Sequence, residues 1–334
     1  MKILMIGGTG NISFPITESL AGKETNEVHI LNRGNKKTPQ GTKQIIGDVN
    51  DLVLLTNLAD QENYDVVINF IVYTAEQARI QIDAFQGKVK QYIFISTVVT
   101  YNHESAVYIK EDQEQGNIYS KYGRDKAACE QLFLNADNLP VTIVRPSETY
   151  SNHRIPLSVK GKNYYSVIHR MLQDKPVIVH GDGKSVWHTT HAKDFAKGFV
   201  NLVGNEKALQ QTYQIMNPEI TTWDMIYHNL YELLGKKPNI VHIPSDLLAL
   251  SETYDISSTI LGDKQYSCVY DTSKIEAISP DFKCQIPIKK GLQMYLEYLE
   301  QHPEDKVEDP EYDSWCDHLI EVYQQFTEGL KGTF

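Results

Sequence analysis

Cysteine is scarce in this sequence. The four that occur among 334 residues, Cys129, Cys268, Cys284 and Cys316, stand far apart. They form no Cys-x-x-Cys pair and no Cys/His cluster at zinc-ligand spacing, so neither a structural metal nor a disulfide framework is expected, and a reducing compartment is. Long hydrophobic runs are lacking too: nothing approaches about 18 uninterrupted apolar residues, the length that a membrane span needs. The N-terminal run Lys2–Ile6 meets Gly7-Gly8 too soon for a signal-peptide core and offers no small-residue cleavage site, so it reads as a first strand. A soluble, cytoplasmic protein is expected. Positive charge is in deficit as well, with 32 Lys and Arg against 43 Asp and Glu and a net charge of −11. Such a chain repels phosphate backbones, which speaks against nucleic-acid binding. One basic cluster survives in this background, Arg33, Lys36 and Lys37.

What is present is an alternation. Short β-branched or apolar runs at Lys2–Ile6, Glu27–Leu31, Val66–Phe70, Tyr92–Ser96 and Val141–Val144 are separated by helical patterns. That is the signature of a parallel sheet with crossover helices, an α/β doubly wound domain. Between the first two runs, Ile12, Ile16 and Leu20 repeat every four residues and lay one apolar face on the sheet. After Tyr150 the pattern loosens into a smaller mixed α/β region with helices around Trp223–Leu234 and Lys289–Glu300. The acidic stretch Pro303–Glu311 reads as a solvated connector to a last amphipathic helix, Tyr312–Leu330.

Gly7-Gly8-Thr9-Gly10-Asn11-Ile12-Ser13 follows a strand and opens a helix, the context that a dinucleotide fingerprint requires. Glycines there let the backbone approach a pyrophosphate at a helix N-terminus, where free N–H groups favour anions. Ser13 stands where a third glycine is usual, and the turn taken alone also suits a plain strand-to-helix connection. The second strand ends in Asn32-Arg33-Gly34, without the Asp or Glu that would bind the ribose 2′-hydroxyl of NAD. An arginine there pairs with a 2′-phosphate, which favours NADP over NAD. The alternative is that Arg33, Lys36 and Lys37 form a solvated loop.

Tyr122 and Lys126 lie four residues apart, on one face of a helix. A neighbouring ammonium stabilises phenolate and makes a tyrosine usable as a general acid or base near neutral pH. Upstream, Ser96 and Thr97 place hydroxyls at the C-terminal end of a strand, where such sheets bind ligands. Glycine turn, strand-end hydroxyl and Tyr-x-x-x-Lys occur in that order.

With these motifs in hand, residues 1–300 resemble the extended short-chain dehydrogenase/reductase family, also called NAD-dependent epimerase/dehydratase. Gly47-Asp48-Val49 resembles its adenine-contacting turn, and Tyr122-Gly123-x-x-Lys126-x-x-x-Glu130 keeps its helix pattern. Arg145-Pro146 with Tyr150 resembles the segment passing the nicotinamide, and Gly181-Asp182-Gly183 with Thr190-His191-Ala192-Lys193-Asp194 the later strand-and-helix signature. Aligning Tyr101 with the tyrosine that closes the serine motif puts Thr97 at the catalytic hydroxyl. The resemblance implies three catalytic roles: Thr97 binds the substrate oxygen, Tyr122 exchanges its proton, and Lys126 holds the nicotinamide ribose and tunes Tyr122. It implies cofactor contacts from Gly7, Thr9, Gly10, Asn11, Ile12, Asn32, Arg33, Asp48, Val49, Lys126 and Pro146. It also implies a homodimer through the helix carrying Tyr122 and a nucleotide-activated sugar as substrate. The glycine turn, Asn32-Arg33-Gly34 and the closing Trp315-Cys316-Asp317 look most like an atypical branch similar to plastid stem-loop RNA-binding proteins.

The expected division is a Rossmann-type dinucleotide-binding domain of residues 1–150, with returning segments near 187–216 and 266–280. A substrate domain takes 151–186 and 217–300, and 301–334 form the acidic connector and C-terminal helix. Val98 and Val99 follow Thr97 where sugar-nucleotide 4,6-dehydratases carry an acidic pair, which disfavours that dehydration and leaves epimerisation or reduction open. Glu148, Tyr150, Tyr164 and Trp187 are the candidate substrate contacts. His188, His191 and Asp194 read as structural, and no metal is expected. The rival to an NAD(P)-dependent enzyme is a cofactor-binding regulator or RNA-associated protein without turnover, against which the joint presence of Thr97, Tyr122 and Lys126 argues.

Overall fold

Ile3, Leu4, Met5 and Ile6 are all fully buried, and their neighbours explain why. In the computed structural model, which describes residues 1–331 and 333, strand β1 (Lys2–Ile6) lies inside a seven-stranded parallel sheet. Strands β2 (Glu27–Asn32) and β3 (Thr42–Ile46) lie on one side of it. On the other come β4 (Val66–Asn69), β5 (Gln91–Ile95), Val141–Pro146 and Gln211–Ile215. The order β3-β2-β1-β4-β5 followed by Val141–Pro146 is that of a doubly wound dinucleotide-binding sheet. Covered on both faces, its inner strands read as continuous apolar runs rather than alternations.

Successive side chains of β1 go to opposite layers. Ile3 and Met5 join Ile16, Leu20, Phe195 and Phe199 on one face, whereas Leu4 and Ile6 join Leu55, Phe85, Cys129 and Phe133 on the other. Helix α1 (Ser13–Ala21) therefore buries Ile16 and Leu20 as its spacing predicts, each worth about 1.5–3 kcal/mol against exposure. Helices α2 (Leu52–Glu62), α3 (Ala75–Phe85) and α4 (Lys121–Leu134) supply the second layer, α4 through Cys129 and Phe133.

The chain divides into two compact units, the first being residues 1–150, 188–218 and 270–286. The second, residues 151–187, 219–269 and 287–334, is built on Tyr165–Leu172, Trp223–Leu233, Ile288–Gln301 and Pro310–Leu330. A parallel strand pair, Val177–His180 with Ile240–Ile243, completes it. Its acidic connector is not simply solvated. Asp309 is buried, caps the last helix by accepting from the Tyr312 N–H at 3.1 Å, and accepts from the Lys162 N–H at 2.8 Å. The last helix is tied down by Arg170, almost fully buried, which pairs with Asp313 and Asp317. No described helix is long and apolar enough to cross a membrane.

Candidate active site

The glycine turn leaves β1 with Gly7 at φ +85°, a conformation that glycine adopts without strain. A β-carbon on Gly8 would stand 2.9 Å from Thr17 Oγ1 and 3.0 Å from Met5 Cβ, so the backbone passes where no side chain fits. Ser13, in the third-glycine position, uses its hydroxyl to lock the turn. Its Oγ accepts from the Gly10 N–H and donates to the Gly7 carbonyl, both at 2.7 Å. Asn11 Nδ2 donates to the Thr149 carbonyl at 3.0 Å, while Thr9 and Ile12 are half-buried beside it.

At the end of β2, the Asn32 side-chain oxygen accepts from the Gly34 N–H at 2.8 Å and from Gln44 Nε2 at 2.9 Å. A backbone N–H can only donate, which fixes which way the amide points. Asn32 Nδ2 is left buried and without a partner. Arg33, Lys36 and Lys37 are exposed. On the next turn Asp48 accepts from the Asn50 N–H at 2.9 Å, and the Val49 carbonyl accepts from Gln81 Nε2 at 2.8 Å. A turn without side chains suits the close approach of a pyrophosphate, and the unsatisfied Asn32 amide donor would face the ribose 2′ position of a dinucleotide held there.

Beyond β5, Thr97 caps the short turn Val98–Thr100, its Oγ1 accepting from the Val99 N–H at 3.2 Å. Its own proton has no acceptor among the described residues, so the hydroxyl is available to donate. The neighbouring Ser96 Oγ is buried without a partner. Ser120 caps α4 and puts Tyr122 in the first helical turn, where the positive end of the helix dipole favours a phenolate. Tyr122 is 43% exposed, and Lys126, one turn on, only 1%. The Lys126 ammonium donates to the Ile95 carbonyl at 2.7 Å and lies 6.0 Å from the centre of the Tyr122 ring. Burial pushes its pKa down to about 8. Gly123 brings the pair to Thr97: a β-carbon there would overlap the Val99 carbonyl.

Behind these groups, Arg145 grips Glu130 through Nε at 2.9 Å and Nη2 at 2.5 Å, and stacks 4.7 Å above Tyr101. Pro146 ends that strand, buried, opposite Ile215. Half-buried Glu148 pairs with Thr189 on an adjoining strand, and Tyr150 is fully buried with His191 edge-on at 5.2 Å. Tyr164 and Trp187 belong to the second unit. Tyr164 is half-buried beneath Lys160, at 5.0 Å, whereas Trp187 is a core residue, 6.1 Å from Trp223 and donating its indole N–H to the Tyr266 carbonyl at 3.1 Å. His188 Nδ1 bonds the Asn217 carbonyl at 2.7 Å, His191 caps the helix Ala192–Phe199, and Asp194 accepts from the Gln285 and Ile286 N–H groups. The sequence reading did not single out Ser120, Asn117 or Gln44; a serine three residues before Gly123 is a legible capping signal, whereas Gln44 and Asn117 act at a distance that spacing does not reveal.

The model of the NAD dependent epimerase/dehydratase family matches residues 3–216. A chloroplast stem-loop binding protein of 41 kDa (b form) from Arabidopsis thaliana is 27% identical over 266 residues, covering 72% of this chain and 65% of its own length. The 2′-dehydrokanamycin reductase of Streptomyces kanamyceticus is 21% identical over 290 residues, covering 85% of this chain and 80% of its own. The structure of UDP-glucuronic acid 4-epimerase from Bacillus cereus with UDP-glucuronic acid and NAD superposes with a TM-score of 0.70 at 21% identity, over 90% of this chain and 99% of that one. That structural likeness establishes the fold. The family match, which runs through the glycine turn, Thr97, Tyr122 and Lys126, covers more than half of the sequence, and the chain belongs to the NAD dependent epimerase/dehydratase family.

Proposed function

We propose that the chain is an NAD(P)-dependent oxidoreductase or epimerase that moves hydride at a hydroxyl/keto carbon of a nucleotide-activated sugar. The observation that carries this is the docking of Lys126 on the Ile95 carbonyl one helical turn below Tyr122, with a donor hydroxyl at Thr97 on the turn against which Gly123 packs. Thr97 donates to the substrate oxygen. Tyr122 gives or takes the proton on that oxygen, its phenolate favoured by the helix N-terminus and the Lys126 ammonium. Lys126 orients the nicotinamide ribose.

Gly7, Thr9, Gly10, Asn11 and Ile12 would hold the pyrophosphate, Asp48 and Val49 the adenine, and Pro146 the nicotinamide edge. Asn32 and Arg33 would meet the ribose 2′ position. Arg33 can only donate, and the Asn32 amide oxygen is already taken by Gly34 and Gln44, leaving its donor, which supports NADP over NAD. When bound, the nicotinamide supplies the hydride acceptor or donor. Val98 and Val99 offer no acid–base pair for eliminating water, so epimerisation or reduction is favoured over 4,6-dehydration. The sugar-nucleotide substrate is supported by the named ligand of the Bacillus cereus epimerase, and a small-molecule reductase by the Streptomyces relative. A homodimer through α4 and a cytoplasmic location complete the reading, supported by exposed Ile118 and Tyr119 beside that helix and by free thiols.

The stem-loop binding relative favours a second reading, an RNA-associated protein without turnover. The net charge of −11 speaks against it. Tyr122→Phe separates the two: turnover on an identified sugar nucleotide is abolished with NADPH affinity nearly unchanged, whereas persistent turnover would refute the assigned chemistry.

A further inference from the structure

Lys126 carries three N–H donors into the interior, and among the described residues a single hydrogen-bond acceptor meets them, the Ile95 carbonyl. The rest of its surroundings is aromatic. Phe94 lies 4.7 Å from the ammonium and Tyr73 4.9 Å, both nearer than Tyr122 at 6.0 Å. Phe94 is a fully buried residue of β5 that belongs to the core. Tyr73 is placed differently. It sits on the loop after β4 and is 45% exposed, and its backbone N–H is anchored at 2.7 Å on Gln77 Oε1. Its hydroxyl makes no hydrogen bond among the described residues. The same ring lies 6.4 Å from that of Tyr122, tilted by 43°. One half-exposed side chain thus touches both members of the pair from an element to which neither belongs.

We propose that Tyr73 is a positioning residue for the Tyr122–Lys126 pair, its ring forming the outer wall of an aromatic box that keeps water off the Lys126 ammonium and holds it on the Ile95 carbonyl. The inference builds on the reading of that pair as the proton-handling centre, but its test does not depend on turnover. Two effects of the ring oppose each other. Its face attracts the cation, and its bulk excludes the water that would otherwise solvate the charge. Burial is the largest influence on Lys126; the other groups acting on it are Cys129 and Glu130, three and four residues further along its own helix. Glu130 is already committed to Arg145. Removing the ring outright therefore raises the affinity of Lys126 for its proton, while replacing it by an apolar side chain of similar cover lowers it.

The test is an NMR titration of the lysine side chains in the full-length protein, with the Lys126 signal identified by its loss in Lys126→Arg. Tyr73→Ala is expected to move the Lys126 midpoint up by about one pH unit, a tenfold change in proton affinity. Tyr73→Phe is expected to leave it in place, because the hydroxyl is unused, and Tyr73→Leu to move it down. An unmoved midpoint in both folded Tyr73→Ala and Tyr73→Leu overturns the proposal; if only one of them folds, its midpoint alone decides. Should Tyr122→Phe retain turnover while these shifts occur, the catalytic reading falls and the box stands.

Discussion

Gly123 packs against Val99 so closely that its missing side chain is a structural requirement: a β-carbon at position 123 would overlap the Val99 carbonyl oxygen. The same oxygen accepts from Asn117 Nδ2 at 3.0 Å. This contact joins α4, which carries Tyr122 and Lys126, to the turn that begins at Thr97.

Gly123→Ala therefore pits helix propensity, which favours alanine by about 1 kcal/mol, against overpacking, which costs about 1–3 kcal/mol. Overpacking wins because the obstacle is backbone. The variant is expected to lose stability in chemical denaturation and to lower kcat more than it raises KM. Gly329→Ala, in open space near the end of the last helix, is the control and is expected to gain up to about 1 kcal/mol.

Lys126 makes stability depend on pH in a defined direction. Its pKa is lowered from 10.5 to about 8 in the folded chain, so below pH 8 both states are protonated and the folded state carries the full cost of burying the charge. Between pH 8 and 10.5 the unfolded chain holds the extra proton and that cost is relieved. Set against unbound wild type, Lys126→Met is expected to have its greatest relative advantage at pH 7, up to about 3 kcal/mol less the cost of leaving the Ile95 carbonyl unpaired. The advantage shrinks as pH rises from 8 to 10.5. Urea unfolding at a series of pH values measures it, and a difference that does not vary with pH contradicts the assignment.

His180 works in the opposite pH range. Its Nδ1 faces Ser158 Oγ at 2.5 Å and its Nε2 bonds the Lys264 carbonyl at 2.9 Å, and burial pushes its pKa down to about 4. A histidine held neutral contributes stability that is complete above pH 6.5 and is lost as pH falls towards 4. His180→Asn is expected to flatten the acid limb of the stability profile, as read by thermal unfolding between pH 4 and 7.

On the proposed reading, cofactor preference lies with Asn32 and Arg33 at the end of β2. Arg33→Ala is expected to weaken NADPH about tenfold or more, the loss of one charge-assisted phosphate contact, with little effect on NADH. Asn32→Asp replaces an amide that offers a donor by a carboxylate that only accepts, and is expected to shift preference towards NADH. Fluorescence titration with both nucleotides decides, and equal effects on the two would contradict a 2′-phosphate contact.

Much of the first unit was legible. The runs read as β1, β2, β4 and β5 lie within one residue of the observed strands, because inner parallel strands must be apolar throughout. β3 was not, since at the sheet edge Lys43, Gln44 and Ile46 face solvent and no burial pattern marks them. Ser13 looked like a defect in the fingerprint until its two hydrogen bonds showed a hydroxyl closing the turn. Tyr122 and Lys126 stood out as candidates through their order behind the glycine turn and the strand-end hydroxyl, since the four-residue spacing alone also fits a surface helix, and Gly123 through the family's helix pattern. Tyr73 was not, because nothing in sequence tells a loop tyrosine 53 residues from Lys126 that it borders the ammonium. Burial likewise moved Trp187 from a candidate substrate contact into a core, a distinction that residue type alone does not make.

Whether Gly7, Gly8 and Gly10 cradle a nicotinamide dinucleotide beside Tyr122 and Lys126 is decided by titrating the purified protein with NADPH and NADH, after denaturing a portion to identify any nucleotide it already carries. One nucleotide per chain is expected, retained or exchanging, with binding lost in Gly8→Val and kept in Tyr122→Phe. A folded protein that carries neither nucleotide and binds neither would contradict it.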